Sequence, residues 1–484
     1  MRIAIIGGGI AGLACAYELE KASRAGSLAE YELFEASGRL GGVISSAVVD
    51  GTLIERGPDS FLTEKPAGAE LCRELGLGRD LIGSNDAERK TFIVVRNRLV
   101  PLPDGLMFLV PTKLMATALT PLFSLWTKLR MGWELNHPPR PQEGDESVAA
   151  LVRRHYGQQV VDRLADPLLS GIYGGDAAQL SAQSVLPRLV EMEENYGSLT
   201  RGMLEGMRAR KAAAGEQIPE PKPIFTTLRL GMEQMVDALF ARLDPARLHL
   251  WSPVTGVARA EHGWLVRSGD SAQRFDAVVI ATPAWAAAEL IRSSDAELAE
   301  EMGAIPYSSS ITVNLVFDGS QLDPLPDGFG FLVPAVEGRA ILACTILNRK
   351  FLGRTALGKS VLRVFLGGSR NAALLDESDE ALIERVRREL FEILQISAVP
   401  ELAEVQRWPR AMAQYAIGHK ARQERIKARL AGLPGLELIG NAYDGIGISD
   451  CIRLGRAAAR KLVQTSTPQV STPQAAQATA QSHR

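Results

Sequence analysis

RIAIIGGGIAGLACAYELEKA, residues 2–22, decides the fold of this 484-residue chain. An apolar run predicts a buried strand, a Gly7-x-Gly9-x-x-Gly12 turn follows it, and a helical pattern comes next. We expect Gly7 to permit the tight turn, Gly9 to let the backbone approach a pyrophosphate, and Gly12 to let the helix lie close to the strand. The helix N-terminus would then face the phosphates. The predicted cofactor contacts of this turn are Gly7, Gly8, Gly9, Ile10, Ala11 and Gly12.

The next predicted strand, EYELFEA at 30–36, ends in an acidic residue. A carboxylate at Glu35 can accept hydrogen bonds from both ribose hydroxyls of an adenosine, and it would repel a 2′-phosphate. The sequence therefore predicts a dinucleotide other than NADP, bound at Glu35 and Ala36. A structural glycine turn without a ligand is the alternative reading.

A second strand–turn–helix pattern stands near the end of the chain, ELIGNAYDGIGISDCIRLGRAAARKL at 437–462. Gly445 and Gly447 would let the backbone approach a flat ring without a Cβ in the way. Ser449 or Asp450 is the expected N-cap of a helix running to about residue 463. A helix start offers roughly half a positive charge and free N–H groups, so one turn would hold the pyrophosphate and the other the redox end. An ordinary glycine-rich corner is the alternative.

Composition excludes several classes of function. The formal net charge of −2 leaves no basic footprint for nucleic acid. The four cysteines are scattered without a CxxC pair, so we expect neither a disulfide framework nor a metal site. The first strand leaves no room for a targeting peptide, and no uncharged apolar stretch is long enough to span a membrane, which predicts a cytoplasmic protein. Segment 105–133 is expected to form broken helices that pack on the core or make an apolar mouth with at most peripheral membrane contact.

Between the two glycine turns, the patterns predict a hairpin at 91–106, mainly helices at 111–215 with Ser181 as an N-cap, an antiparallel sheet within 305–369 and a helix at 376–395.

Several motifs resemble one superfamily, the flavin-dependent amine oxidases and porphyrinogen oxidases. SGRLGGVISS at 37–46 resembles the element that follows the ribose-binding acid in that superfamily and marks FAD. Amine oxidases usually continue this element with arginine, whereas Val43 and Ile44 stand here and resemble the porphyrinogen oxidases. GPDSF at 57–61, SGIYGGD at 170–176, GFGFLVP at 328–334 and GNAYDGIGISDCI at 440–452 resemble the same branch.

The resemblance implies an α/β fold, with a Rossmann-like FAD-binding domain of the amine oxidase type, an antiparallel-sheet substrate domain and a helical subdomain. The FAD-binding domain is expected at 1–88, 221–293 and 400–463, and the substrate domain at 89–104 and 294–399. The helical subdomain with the apolar mouth is expected at 105–220. Residues 464–484, rich in Ser, Thr, Pro, Gln and Ala, are expected to be a disordered tail.

Noncovalent FAD is the cofactor that the resemblance implies, because Cys451 lies outside the segment in which amine oxidases attach their flavin. The further cofactor contacts implied are Arg39, Gly41, Gly42, Gly57, Pro58, Asp59, Ser60, Val254, Trp408, Gly445, Ile446, Gly447 and Ile448.

The implied substrate site centres on Gly171, whose backbone carbonyl would accept a hydrogen bond from a pyrrole N–H. Gly330, Phe331 and Leu332 are expected to form an apolar wall. Met107 stands where membrane-bound relatives often carry an arginine that pairs with a propionate.

The implied activity is the six-electron oxidation of a porphyrinogen to a porphyrin in haem biosynthesis, with O2 reduced to H2O2. Coproporphyrinogen III is the favoured tetrapyrrole substrate and protoporphyrinogen IX is a close second, with the next enzyme of the haem pathway as a possible partner. Two alternatives are an amine or carotenoid-type oxidoreductase and a binding module of the same fold that has lost its flavin.

Overall fold

The structure is a computed structural model that describes residues 1–107, 109–214, 222–322 and 325–466. Strands and helices are numbered separately along the chain.

The strands are β1 (Arg2–Ile6), β2 (Glu30–Phe34), β3 (Ser46–Val49), β4 (Thr52–Glu55), β5 (Phe61–Leu62), β6 (Leu81–Gly83), β7 (Thr91–Val95), β8 (Arg98–Pro101), β9 (Leu106–Met107), β10 (Val110–Pro111), β11 (Phe225–Leu228), β12 (Leu248–His249), β13 (Val254–Arg259), β14 (Trp264–Ser268), β15 (Ser271–Phe275), β16 (Ala277–Ile280), β17 (Tyr307–Asp318), β18 (Gly330–Leu332), β19 (Ala343–Ile346), β20 (Lys359–Gly367), β21 (Leu402–Ala413) and β22 (Leu436–Leu438).

The helices are α1 (Ile10–Arg24), α2 (Ala67–Glu74), α3 (Leu114–Leu119), α4 (Leu125–Glu134), α5 (Val148–Tyr156), α6 (Gln158–Val160), α7 (Asp166–Tyr173), α8 (Ala182–Val185), α9 (Pro187–Tyr196), α10 (Leu199–Ala214), α11 (Glu233–Phe240), α12 (Ala284–Ile291), α13 (Ala296–Gly303), α14 (Leu347–Lys350), α15 (Asp379–Leu394), α16 (His419–Ala431) and α17 (Ile448–Ser466).

A parallel sheet forms the centre of the nucleotide-binding half. Its strand order is β12-β2-β1-β16-β22, and β1 pairs in parallel with both β2 and β16. The side chains of Ile3, Ala4 and Ile5 are fully buried because helices and strands cover both faces. Strands far apart in sequence thus meet in one sheet, and the predicted fold class is confirmed.

The second large sheet has the order β21-β17-β20-β19-β18-β7-β8. The antiparallel prediction is correct for its other neighbours, but β18 pairs with β7 in parallel. The reason is topological: the hairpin β7–β8 comes from an earlier part of the chain and adds to the edge formed by β18. Helix α15 packs against β17 and β21 and closes this half of the core.

The local predictions between the two glycine turns are largely confirmed. Strands β7 and β8 form the predicted hairpin, with Arg96 and Asn97 at positive φ in its turn. The side chain of Ser181 accepts a hydrogen bond from the backbone N–H of Ser184 and caps α8. Helix α15 begins at Asp379, three residues after the predicted start at residue 376, because a short 3₁₀ turn at 372–376 precedes it.

Segment 105–133 contains the predicted short helices, α3 and α4. Their outward faces expose Met115, Leu119, Leu125, Trp126 and Trp133. Among the described residues, no helix has both the length and the apolar character needed to cross a bilayer.

The predicted tail begins too early. Residues 464–466 continue α17, because the last turns of this long helix pack its apolar face on the core through Leu462. Residues 467–484 lie outside the described part of the chain. The domain limits stay a prediction.

Candidate active site

The first glycine turn lies between β1 and α1 and is shaped by steric contacts of its backbone. Gly7 has a φ of +107°, a conformation that favours glycine. A Cβ at Gly12 would lie 2.0 Å from the carbonyl oxygen of Gly7, so only glycine lets α1 approach the turn this closely. A Cβ at Gly8 would collide with Leu40 at 2.5 Å.

Gly9 differs from its neighbours because a Cβ there would meet no protein atom within 4 Å. Space is thus open directly before the start of α1. Glu35 stands beside it, and its carboxylate accepts hydrogen bonds from the backbone N–H of Gly8 (2.7 Å) and from Ser37. Oε1 accepts both bonds from Ser37, and Oε2 accepts the bond from Gly8, so Oε2 keeps a lone pair for a further donor such as a hydroxyl. Ala36, the next residue, is exposed.

The loop after β2 folds back over this turn. Gly41 and Gly42 have positive φ, and the N–H of Gly41 donates to the carbonyl of Gly8 at 2.8 Å. Arg39 holds the loop internally, because its guanidinium donates to the carbonyls of Gly42 (2.6 Å) and Ile44 (2.5 Å). Gly41 and Gly42, both implied cofactor contacts, are therefore adjacent to the first turn.

The closing turn lies between β22 and α17 and depends on side chains. Helix α17 begins at Ile448, so neither Ser449 nor Asp450 is the N-cap, contrary to the prediction. Asp450 instead reaches back from the first turn of the helix and accepts a hydrogen bond from the N–H of Gly447 at 3.2 Å. This is the role of the third helical residue in a capping box. Lys65 pairs with the same carboxylate at 2.6 Å.

Helices α1 and α17 bring the two turns together. A Cβ at Gly455 would lie 2.2 Å from the carbonyl oxygen of Ala11, and further along both helices Arg460 pairs with Glu18 at 2.8 Å. The contact that lies later in α1 also lies later in α17, so the two helices run parallel and their N-termini lie at the same end. Gly455 is seven residues into α17, whereas Ala11 is one residue into α1. At 1.5 Å per residue, the N-terminus of α17 therefore extends roughly 9 Å past the N-terminus of α1.

Two buried hydroxyls close to these turns have no hydrogen-bond partner among the described residues. Thr282, at the carboxyl end of β16, has a buried hydroxyl without a hydrogen-bond partner among the described residues, and its methyl group would lie 3.2 Å from a Cβ at Gly7. Ser449, in the first turn of α17, has a buried hydroxyl in the same condition. Buried hydroxyls normally have partners. The Ser449 hydroxyl lies against α2, 2.9 Å from a Cβ at Gly68, so only the Thr282 hydroxyl and the open space at Gly9 fit a bound dinucleotide.

Segment 57–60, predicted to contact the cofactor, is anchored with Glu55 by a cluster of buried charges. Glu55 pairs with Arg354, and Asp59 pairs with Lys350 (3.0 Å) and Arg363 (3.4 Å). Burial alone would raise the pKa of Asp59, but Lys350 and Arg363 outweigh it and hold that pKa well below its usual range. For the two basic partners the effect of burial is opposite: it lowers the pKa of Lys350 and of Arg363, and both remain paired with Asp59.

These ion pairs limit which groups of segment 57–60 can contact a ligand. The carboxylate of Asp59 is committed to the cluster and to the Ser60 hydroxyl at 2.6 Å, so a cofactor contact of residue 59 would have to come from its backbone. Arg363 also donates to the carbonyl of Gly57. Pro58, between Gly57 and Asp59, is partly exposed.

The predicted substrate residues are only partly brought together. Gly171 lies in the last turn of α7, and within the described residues no hydrogen bond reaches its carbonyl oxygen, as is common at a helix C-terminus. A Cβ at Gly171 would lie 3.1 Å from the Leu332 side chain. Phe331 is 1% exposed and packs in the core of the large sheet, whereas Leu332 packs against a different core cluster, so the substrate contact predicted for Phe331 stays a prediction. Successive strand residues face opposite sides.

The remaining predicted residues have simple positions. Gly330 has a φ of +142° at the start of β18, and Met107 ends β9, paired with Val110. Val254 begins β13 and is partly buried. Trp408 on β21 donates from its indole N–H to the carbonyl of Arg56 at 2.8 Å, next to segment 57–60. Ile446 lies between the two glycines of the closing turn.

Lys65, Thr282 and Tyr415 were missed from the sequence. Thr282 could have been found, because it follows a buried strand, and ligands bind at the carboxyl ends of parallel strands. Lys65 and Tyr415 carry no local signal, since their partners at 441–450 are distant in sequence.

An open glycine turn, an acid at the end of the second strand and a second helix start beside the first define a dinucleotide-binding flavoprotein architecture. The family described as flavin containing amine oxidoreductase matches residues 10–463. The chain belongs to that family, and its cofactor is therefore a flavin. The four cysteines are buried as free thiols, and the described residues hold no cluster of metal-ligating side chains.

Individual relatives narrow the family branch. The chain is 34% identical over 460 residues to coproporphyrinogen III oxidase of Bacillus subtilis, covering 94% of this chain and 96% of that protein. It is 29% identical over 470 residues to chloroplastic protoporphyrinogen oxidase of Nicotiana tabacum, covering 93% and 83%. A crystal structure from Exiguobacterium sp. superposes with a TM-score of 0.84 at 31% identity, covering 96% and 99%. The resemblance to the porphyrinogen oxidases is confirmed.

Proposed function

We propose that this protein is an FAD-dependent oxidase that converts a porphyrinogen to the porphyrin in haem biosynthesis, with coproporphyrinogen III as its preferred substrate. The observation that carries the proposal is the parallel pair of helices α1 and α17, which places two helix starts at one end and offset along one direction. Full-length similarity to coproporphyrinogen III oxidase of Bacillus subtilis supports the choice of reaction.

The first turn and the loop 38–42 would hold the pyrophosphate and adenosine ribose of FAD, and the closing turn would meet its ring. The open space at Gly9 supports the first assignment, and the free N–H groups at the start of α17 support the second. When bound, FAD supplies the two-electron acceptor that O2 reoxidises. We propose noncovalent binding because Cys451 is buried at the start of α17, and burial raises the pKa of its thiol to about 12, which keeps it unreactive.

The residues of this chain would orient the tetrapyrrole and keep water away. The carbonyl of Gly171 would accept a hydrogen bond from a pyrrole N–H and stabilise positive charge that develops on the macrocycle as hydride leaves. Leu332, opposite Gly171, would pack against the ring. Each two-electron step removes one hydride and one proton from the substrate, and three such steps with three O2 give three H2O2.

Coproporphyrinogen III carries four propionates, and protoporphyrinogen IX carries two. Each additional carboxylate must stay in water or meet a cation, because burying an unpaired carboxylate is costly. Met107, in place of a propionate-binding arginine, favours an open cavity. Four basic residues near Met107 in the sequence are candidate partners for propionates: Arg96, Arg98, Lys113 and Arg130. Arg130 already donates to the carbonyls of Arg153 and Arg154, so we propose the other three.

The test is kcat/KM for both porphyrinogens under air, followed by porphyrin fluorescence, together with acid precipitation of the yellow protein. We expect a preference for coproporphyrinogen III and release of all flavin into the supernatant. A preference of more than about tenfold for protoporphyrinogen IX, about 1.4 kcal/mol in the transition state, would reverse the substrate assignment. Flavin retained in the pellet would contradict noncovalent binding.

We propose a cytoplasmic location, with the exposed apolar face of α3 and α4 making at most peripheral contact with a membrane or with the next enzyme of the pathway. Trp126 is 81% exposed and Trp133 is 64% exposed on that face. Expressed protein should stay in a high-speed supernatant without detergent, and quantitative pelleting with membranes would overturn the proposal.

A further inference from the structure

Two adjacent residues, Gln414 and Tyr415, lie directly after β21 and connect the two halves of the proposed site. Both are buried, with exposed fractions of 7% and 5%. Neither was predicted from the sequence. Their side chains contact different parts of the molecule, as expected for neighbours in an extended segment.

Gln414 holds the carboxyl end of α7. Its amide nitrogen lies 2.7 Å from the carbonyl oxygen of Tyr173 and 2.9 Å from the hydroxyl of Ser308. A Cβ at Gly175 would lie 2.2 Å from the amide oxygen of Gln414, so the segment after α7 packs directly on this side chain. Gln414 therefore fixes the helix end two residues after Gly171.

Tyr415 holds the closing turn. Its hydroxyl donates to the carbonyl of Asn441 at 2.9 Å and accepts from the N–H of Gly445 at 2.9 Å. The ring stacks on His419 with centroids 4.1 Å apart and an interplanar angle of 12°. Burial raises the pKa of the Tyr415 phenol, so the hydroxyl stays protonated and can make both bonds. Tyr415 therefore spans the turn that precedes α17.

The backbone between these side chains is held on both sides. The N–H of Gln414 donates to the carbonyl of Pro306 at 2.8 Å, and the N–H of Ser181 donates to the carbonyl of Tyr415 at 2.8 Å. Ala416 forms a bridge with Leu180. Because hydrogen bonds hold this short segment on both edges, the side chains of Gln414 and Tyr415 keep a fixed position relative to each other.

We propose that Gln414 and Tyr415 are positioning residues that set the separation between the substrate-orienting carbonyl of Gly171 and the ring-binding closing turn. The inference rests on the proposed function. Transfer between two reactants requires the reacting atoms to be about 3–3.5 Å apart, so a shift of either side would slow the reaction even when both ligands still bind. Gln414 sets the substrate side and Tyr415 sets the cofactor side.

The experiment uses Tyr415→Phe and Gln414→Met, with Tyr31→Phe and Gln234→Met as matched controls. Tyr31→Phe removes one buried hydroxyl hydrogen bond, to Glu20 at 2.9 Å, where Tyr415→Phe removes two. Gln234→Met removes one amide hydrogen bond, to Asp80 at 3.0 Å, where Gln414→Met removes those to Tyr173 and Ser308. Amide hydrogen exchange is measured by mass spectrometry on flavin-free and flavin-loaded protein, followed by kcat and KM with coproporphyrinogen III and O2.

Tyr415→Phe should speed exchange in peptides covering 441–447 by about tenfold, and Gln414→Met should do so in peptides covering 171–176, with little effect in the controls. Both variants should lower kcat by about tenfold while KM changes by less than about twofold. Unchanged exchange in these peptides, or the same local change in the controls, would overturn the proposal.

The design separates this inference from the proposed function. Wild-type protein that bound no FAD or oxidised no porphyrinogen would end the proposed function, and with it the assigned roles of the two ends. Active wild-type protein whose Tyr415→Phe and Gln414→Met variants keep kcat would end only the positioning role.

Discussion

The two glycine turns of this protein begin helices that pack side by side, yet they are held in different ways. The first turn is shaped mainly by its own backbone: Gly7 takes a positive φ, and a Cβ at Gly12 would lie 2.0 Å from the carbonyl oxygen of Gly7, so only glycine lets α1 come this close. The closing turn is held by side chains that come from elsewhere, namely Lys65 on Asp450 and Tyr415 on Gly445.

This difference between the two turns fits a dinucleotide whose pyrophosphate and ring have different requirements. A pyrophosphate needs backbone N–H groups at close range, and small residues supply them locally. A ring that must also face a substrate has to be placed relative to other domains, and only long-range contacts can do that.

Gly9→Val should abolish FAD binding. No protein atom would meet the new Cβ, so the fold should survive while the side chain fills the space proposed for the pyrophosphate. We expect FAD affinity to fall by about 100-fold or more, or about 2.8 kcal/mol, measured by titration of the apoprotein. Gly206→Val in α10, where a Cβ also meets no atom, is the control. Stoichiometric yellow flavin in the Gly9 variant would contradict the assignment.

Asp450→Ala should loosen the closing turn without unfolding the protein. It removes the bond from Gly447 and the ion pair with Lys65, and loss of a helix-capping acid costs about 1–2 kcal/mol. Asp295→Ala removes another capping acid, bonded to Leu298 and Arg429, and should cost a similar amount. Only the Asp450 variant should also change the visible flavin spectrum. Identical spectra in both variants would mean that the closing turn does not meet the ring.

Acid should weaken the support of the closing turn. Burial, aided by Arg422, lowers the pKa of His419 to about 4, below the value of about 6.5 expected in the unfolded chain. The stability contributed by neutral His419 is therefore complete above about pH 6.5 and is lost as the pH falls toward 4. His419→Phe keeps a ring against Tyr415 but cannot titrate.

Denaturant unfolding at pH 7.5 and 4.5 measures this effect. The His419→Phe variant should lose less stability between the two pH values than the wild type does. The exposed His262 provides the control, and its replacement by Phe should leave the wild-type difference in place. An equal loss in the His419 variant and the wild type would exclude this residue as the source.

Arg453→Gln should have the smallest effect. Arg453, in α17, pairs at 2.9 Å with Asp444 in the closing turn, but their side chains are 48% and 66% exposed. Exposed pairs contribute about 0–1 kcal/mol, so stability should change by less than about 0.5 kcal/mol and FAD affinity should not change. A large loss of FAD affinity would indicate that surface charge, rather than the buried contacts, orders the turn.

Much of the local structure followed from the sequence because its causes are local. Glycines at fixed spacing, an apolar strand and an acid at the end of the next strand predicted the first turn, and β7–β8 and the cap at Ser181 were predicted in the same way. The motifs also predicted the family, which the comparisons confirm. For the cap of α17 the sequence predicted Ser449 or Asp450, and both were wrong, because the helix already begins at Ile448 and its cap is Gly447.

The sequence by itself determined the kind of ligand, the family and most elements, because backbone conformation and hydrophobic periodicity act over a few residues. Only the tertiary structure decided that α17 runs parallel to α1, that Phe331 faces the core and Leu332 faces Gly171, and that Gln414 and Tyr415 join α7 to the closing turn. These facts depend on strand register and on contacts between residues up to hundreds of positions apart. A one-residue change of register would exchange the two faces of a strand, and no local pattern encodes such distant pairings.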